Sequence, residues 1–169
     1  MILKTAVISP CGIYRYSLGR EDDMPRPDTK GTVVFGLANP STADAEFDDA
    51  TVKKGWKYAV SWNYHRMIYV NLNPFRATDP KKALIPPPAV MAENDTHLRF
   101  AISQADLFVC AWGRLAPADL VERAMGVIQF QKPLYYLELS KDGKRPKHPL
   151  YLRDDLQPTR WRLNDLSQS

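Results

Sequence analysis

Two asparagine–proline motifs, a tryptophan–glycine pair and a histidine–proline pair are the residues of this chain best equipped for chemistry. Gly36-Leu37-Ala38-Asn39-Pro40-Ser41 follows the apolar run Thr32-Val33-Val34-Phe35. Asn71-Leu72-Asn73-Pro74 follows Met67-Ile68-Tyr69-Val70. Ala111-Trp112-Gly113 follows Asp106-Leu107-Phe108-Val109-Cys110, and His148-Pro149 lies in a basic loop after Pro133-Leu134-Tyr135-Tyr136-Leu137. Carboxamides, a hydroxyl and an imidazole supply hydrogen-bond donors and acceptors. In an open α/β sheet, ligands bind at the carboxyl ends of the strands. Motifs placed there can converge on one pocket.

The elements that would carry them alternate. Strands are expected over about 32–37, 67–71, 106–111 and 134–139. Asp48-Asp49-Ala50-Thr51 supplies an N-cap for a helix through about Tyr58, with Val52, Trp56 and Ala59 on one face. Pro86-Pro87-Pro88 forbids regular structure, and Glu93-Asn94-Asp95 opens a second helix with Leu98, Ala101 and Ile102 inward. Pro117-Ala118 suits the start of a third, whose apolar face is Leu120, Val121, Ala124 and Ile128. Residues 1–30 read as irregular, with an edge strand near 11–18. Strands separated by helices predict an α/β fold: a three-layer αβα arrangement around a mostly parallel sheet of about four or five strands. No repeat or linker divides the chain, so a single domain over 1–169 is expected.

Composition fits this. The chain has 169 residues, 44% of them hydrophobic, enough for one core. No apolar run approaches the roughly 18 residues of a membrane span. The first ten residues lack the pattern of a secretory signal. Cys11 and Cys110 have no metal-ligand spacing, and the expectation is a cytoplasmic protein without disulfides. Net charge is +4, which alone says little. Its distribution says more: Lys141, Lys144, Arg145 and Lys147 crowd the loop before His148, and Arg153, Arg160 and Arg162 follow. Such a loop is either a solvated surface or, beside a pocket, a phosphate contact.

At these motifs the sequence resembles a known family. Asn-Pro-Ser-Thr-Ala-Asp at 39–44, Asn-Leu-Asn-Pro-Phe-Arg-Ala-Thr-Asp-Pro at 71–80, Ala-Trp-Gly at 111–113 and His-Pro-Leu-Tyr-Leu at 148–152 look like the bacterial and phage family called domain of unknown function 1643, from Cys11 to about Trp161. The same motifs, in the same order, are similar to those of the uracil-DNA glycosylase superfamily. That resemblance implies a uracil-DNA-glycosylase-like fold and a role for each motif.

Asn39 matches the Asn of the mismatch-type branch. A neutral amide is no strong base, so the implied role is to hold the attacking water. Asn39-Pro40-Ser41 reads equally as a strand-ending turn. Asn71 matches the base-reading Asn, since a carboxamide can pair with a pyrimidine edge; Asn73 could share that role, and either could be a buried Asn serving the backbone. His148 matches the catalytic histidine, which stabilises negative charge on the departing base; the alternative is an exposed His in a basic loop. Trp112-Gly113 is expected to shape the sheet end and admit a close backbone. Among aromatic residues, Phe75 is favoured for stacking a flipped base. Arg76 would bind phosphate or pair with Asp44 or Asp79. Lys141, Lys144, Arg145 and Lys147 would meet DNA phosphates, with Leu150 or Tyr151 as a wedge.

Ser41 stands where uracil-specific members place a Tyr that blocks the base's 5-position. A small residue leaves room for a 5-substituent, such as that of a modified phage pyrimidine. Were the substituent a sugar, Asp44, Thr42 and Arg76 are close enough in sequence to pair its hydroxyls. The implied activity is that of a monofunctional DNA glycosylase, needing neither metal nor organic cofactor. It would act as a monomer on double- or single-stranded DNA, in anti-phage defence, with no membrane partner. A nucleosidase and a non-catalytic nucleic-acid-binding protein are the alternatives.

Overall fold

The computed structural model describes residues 1–162, so 163–169, included in the single-domain expectation, lie outside the described residues. The chain opens with two paired strands, β1 (Ile2–Ile8) and β2 (Arg15–Asp22), where mostly irregular chain was expected. The reason is physical. β1 is largely exposed and buries none of its apolar side chains. β2 buries Arg15 and Arg20, so its inward face does not read as apolar. Arg20 is satisfied there: Nε and Nη2 donate to Asp48 Oδ1 at 2.9 and 2.6 Å, and Nη2 and Nη1 donate to the carbonyls of Asp44 and Gly19 at 2.7 and 2.6 Å.

The apolar runs then supply β3 (Lys30–Leu37), β4 (Tyr64–Asn71), β5 (Leu107–Cys110) and β6 (Leu134–Tyr136), with a short β7 (Thr159–Arg160) at the end. The seven-stranded mixed sheet has the order β1-β2-β4-β3-β5-β6-β7. Its centre, β4-β3-β5-β6, is parallel, and the flanking strands pair antiparallel. The expected strands account for the parallel centre and, through the edge strand near 11–18, for part of β2; they miss β1 and β7.

Parallel neighbours need helical crossovers, and three helices provide them. α1 (Ala50–Ser61) follows β3, with Asp49 as its N-cap accepting from the Val52 N–H at 2.8 Å. α2 (Pro88–Gln104) begins at Pro88, ahead of the expected Glu93. A proline whose missing N–H would be unpaired anyway is well suited to a first helical position. α3 (Ala118–Ile128) starts where expected. Side chains alternate across the sheet. Val34, Val70 and Phe108 pack against α2 and α3, whereas Val33, Phe35 and Tyr69 pack against α1. Helices therefore cover both faces. Gly55 of α1 lies so close to β4 that a Cβ would collide with the Tyr69 hydroxyl.

The chain returns to α1 near its end. Tyr58 Oη donates to the Arg153 carbonyl at 2.5 Å and Trp62 Nε1 to the Leu156 carbonyl at 2.9 Å. Asp154 pairs with Lys54 at 2.5 Å and with Lys57. The strand order reverses around β3: β4 lies on one side of it and β5 on the other. The loops leaving β3 and β5 diverge to opposite faces, which opens a crevice at their carboxyl ends.

Candidate functional site

A cleft of about 1030 Å³ occupies that crevice. Its walls are the loop after β3 with the start of α1, the loop after β5, and the long loop after β6. Three of the four motifs meet there through Asn39, Ser41, Trp112, Gly113 and His148.

Asn39 is half-buried, and its Nδ2 donates to the carbonyls of Pro40 and Ala77 at 3.1 and 2.9 Å. Both amide hydrogens are therefore spent on the loop, and the chemistry left to the side chain is acceptance at Oδ1. Ser41 donates its hydroxyl to Asp49 Oδ2. Asp49, also in the cleft, thus takes part in the wall as well as capping α1. The helix N-terminus beneath it favours a carboxylate.

His148 Nδ1 accepts from the Leu150 N–H at 3.2 Å. An accepting Nδ1 puts the ring proton on Nε2. Burial pushes the His148 pKa below its ordinary value, and the charge of Asp49 only partly opposes this. The ring is thus a neutral Nε2–H donor at neutral pH. Gly113 has φ +81°, and a Cβ there would sit 3.4 Å from His148 Cβ. That is ordinary contact, so the glycine of Trp112-Gly113 is required by its left-handed backbone and not by the close approach expected.

The basic loop is partly committed to structure. Arg145 Nη1 donates to the carbonyls of Arg114 and Ala116 at 3.1 and 2.5 Å, tying the loop after β6 to the loop after β5. Lys147 pairs with Glu138. Lys141 is exposed at the cleft and Lys144 is exposed outside it. Leu150 lines the cleft, Tyr151 at its rim is 91% exposed, and Leu115 from the β5 loop is 61% exposed.

Of the second motif only Ala77 and Thr78 line the cleft; Asn71, Asn73, Phe75 and Arg76 do not. Asn71 is at the carboxyl end of β4 and fully buried; Nδ2 donates to the Arg15 carbonyl at 3.3 Å, and Oδ1 has no partner among the described residues. Asn73 is spent on an Asx turn and a tether: Oδ1 accepts from the Phe75 N–H at 2.8 Å and Nδ2 donates to the Leu84 carbonyl at 2.9 Å. Phe75 packs edge-on against Tyr14, centroids 6.2 Å apart. Arg76 donates to the carbonyls of Gly12 and Thr42 at 3.1 and 3.0 Å, so the expected ion pair with Asp44 or Asp79 does not form. Asp44 accepts from the N–H groups of Glu46 and Phe47.

Two cleft residues escape the sequence reading. Asp49 reads only as a helix cap. Its position could have signalled more, because the start of a helix that follows a strand faces the same sheet edge as the motifs. Arg15 lines the cleft although it is only 2% exposed; an arginine in an edge-strand pattern gives no such signal. Among the described residues no group of three or more His, Cys, Asp or Glu is placed to hold a metal ion, and no helix is long and apolar enough to cross a membrane.

Compared with known proteins, residues 15–150 match the family described as "Protein of unknown function (DUF1643)". No curated protein and no solved structure matches the chain.

Proposed function

We propose that this chain, which belongs to the DUF1643 family, is a monofunctional DNA glycosylase acting on a flipped-out, 5-modified pyrimidine. The observation that carries the reading is the cleft that holds an acceptor at Asn39, a carboxylate at Asp49 and a fixed Nε2–H donor at His148. The first, third and fourth motifs, which resemble those of the uracil-DNA glycosylase superfamily, support the same reading, and with it a fold of that type.

Hydrolysis breaks the bond between sugar C1′ and pyrimidine N1. The base departs with the electron pair, takes a proton from solvent on release, and until then carries its developing charge on the exocyclic oxygen O2. His148 donates Nε2–H there, neutral throughout, because a preorganised donor in a water-poor site stabilises a developing anion strongly. Asn39 Oδ1 accepts a hydrogen bond from the water that adds to C1′. Asp49 stabilises the cationic sugar and takes the water's proton, a role that a neutral amide cannot fill. An abasic site and the released base result. Ser41 and the cleft volume leave room for the 5-substituent. Tyr151 and Leu150 enter the duplex where the base has left, and Lys141 and Lys144 approach phosphates. Defence against phages with modified DNA, in the cytoplasm and as a monomer, is the setting this specificity would serve.

The test is incubation with single- and double-stranded DNA containing uracil, 5-hydroxymethylcytosine or its glucosylated form, with mass detection of released base. Release from a 5-substituted cytosine, lowered about 10² to 10³-fold in His148→Ala and in Asn39→Ala, is expected. Release from free nucleosides alone would make the protein a nucleosidase. DNA binding without release would make it a binding protein.

A further inference from the structure

We infer that Leu115 is a second wedge, entering the base stack from the loop that faces Tyr151, and that the cleft is thereby built for duplex and not for single-stranded DNA. This rests on the glycosylase reading for the chemistry and names the form of its substrate.

Of the large apolar side chains exposed among the described residues, two line the cleft: Leu115, 61% exposed, and Tyr151, 91% exposed. They stand on different walls, the loop after β5 and the loop after β6. Leu115 lies in a tight turn over 113–116, closed by the Ala116 N–H donating to the Gly113 carbonyl at 3.4 Å. The glycine that opens the turn has a left-handed backbone. Arg145 Nη1 donates to the carbonyls on either side of Leu115, those of Arg114 and Ala116. Ala116 is itself buried. The turn is therefore anchored on both flanks, and its one large apolar side chain is left in solvent. Folding Leu115 away would break those bonds and leave their donors unpaired.

The chemistry of the two tips selects the partner. Proteins that hold single strands stack successive bases on aromatic rings. Proteins that open a duplex push apolar wedges, leucine among them, between base steps. Leucine has no flat face on which to stack a base, but it fills the space between parted ones. Flipping a base out of a duplex unstacks and unpairs it. Tyr151 and Leu150 take the vacated place, and Leu115 parts the stack from the facing loop. The rim carries charge to match. Arg114, beside Leu115, and Lys141, on the facing loop, are exposed cleft residues with no ion pair among the described residues. Both can therefore meet phosphates, which position a duplex without reading its sequence.

The test uses a duplex holding a tetrahydrofuran abasic site beside 2-aminopurine, and the same strand alone. Such a gap is independent of the base released. Affinity is read by fluorescence anisotropy and unstacking by 2-aminopurine fluorescence. The duplex should bind at least about tenfold tighter than the single strand, with a rise in fluorescence. Leu115→Ala should lower duplex affinity about tenfold and single-strand affinity far less, and reduce the rise. Leu115→Met keeps an apolar side chain of similar reach and should retain both. Thermal melting should be unchanged in the two variants, because Leu115 is exposed. Equal binding of the two forms, tighter binding of the single strand, or parental duplex binding by Leu115→Ala would overturn the inference. Leu115-dependent duplex binding without base release would keep the wedge and remove the glycosylase reading. Base release as fast from single strands as from duplexes would keep that reading and remove the wedge.

Discussion

His148 owes its expected chemistry to a backbone amide. With Nδ1 occupied by the Leu150 N–H, protonation of the ring would cost that hydrogen bond as well as the desolvation of a cation. Two consequences follow for pH. The ring should titrate below the ordinary value of 6.5. A histidine lowered in the folded state binds its proton more readily when unfolded, so its stabilising effect is complete above that value and is lost as pH falls through the folded pKa. Asp49→Asn should lower the His148 pKa further, because the carboxylate is what holds it up, while asparagine still caps the helix. Proton NMR of the three histidines, assigned with His148→Ala, measures this; a His148 pKa that rises in Asp49→Asn would refute the electrostatic coupling. At this scale Asn39, Ser41 and His148 were legible because strand-ending motifs name their own location. Asp49 was not, because a capping residue and a cleft residue look alike in sequence. Asn71 and Asn73 look like base readers for the same reason: a carboxamide is equally at home bonding a ligand or a loop.

At the scale of elements, α1 carries the carboxylate and must sit close to the sheet to bring it to the cleft. Gly55 allows that approach, since a Cβ would strike the Tyr69 hydroxyl, itself bonded to the Thr51 carbonyl at 2.7 Å. Alanine usually stabilises a helix interior by about 1 kcal/mol relative to glycine. Here overpacking should win, and Gly55→Ala should lower stability by about 1–3 kcal/mol in urea titration. It should also reduce base release, because Asp49 moves with the helix. A more stable variant would show that the approach is slack. Central strands were legible as apolar runs; β2 was legible only in part, as an edge strand near 11–18, and β1 was not, since exposed residues and buried arginines blur the alternation. The start of α2 was missed because three prolines look like a break, although the last can begin a helix.

For the whole molecule, the order of strands matters more than their number. β3 lies between β4 and β5, so the chain crosses over it once and leaves a crevice there. Alternation of strands and helices made the α/β class legible; the antiparallel borders depend on pairing between distant segments and leave no local trace. DNA association should reflect how the surface cations are used. Arg145 and Lys147 serve internal contacts, so Lys141 and Lys144 are the expected phosphate partners. Replacing both by Gln should reduce the log–log salt slope of DNA binding by roughly 1 to 2. An unchanged slope would place the DNA elsewhere.

The strap of residues 153–156 across α1 has a consequence for how the protein is made. Tyr58 and Trp62 find their carbonyl partners 95 and 94 residues later. Synthesis runs from the amino end, so the helix bearing Asp49 waits for the strap at 153–156 before its dock is complete. Nascent chains halted with residue 150 outside the ribosome should therefore be cut by protease within α1, and those extended to residue 162 should resist. The cleft would then mature only after the strap has left the ribosome.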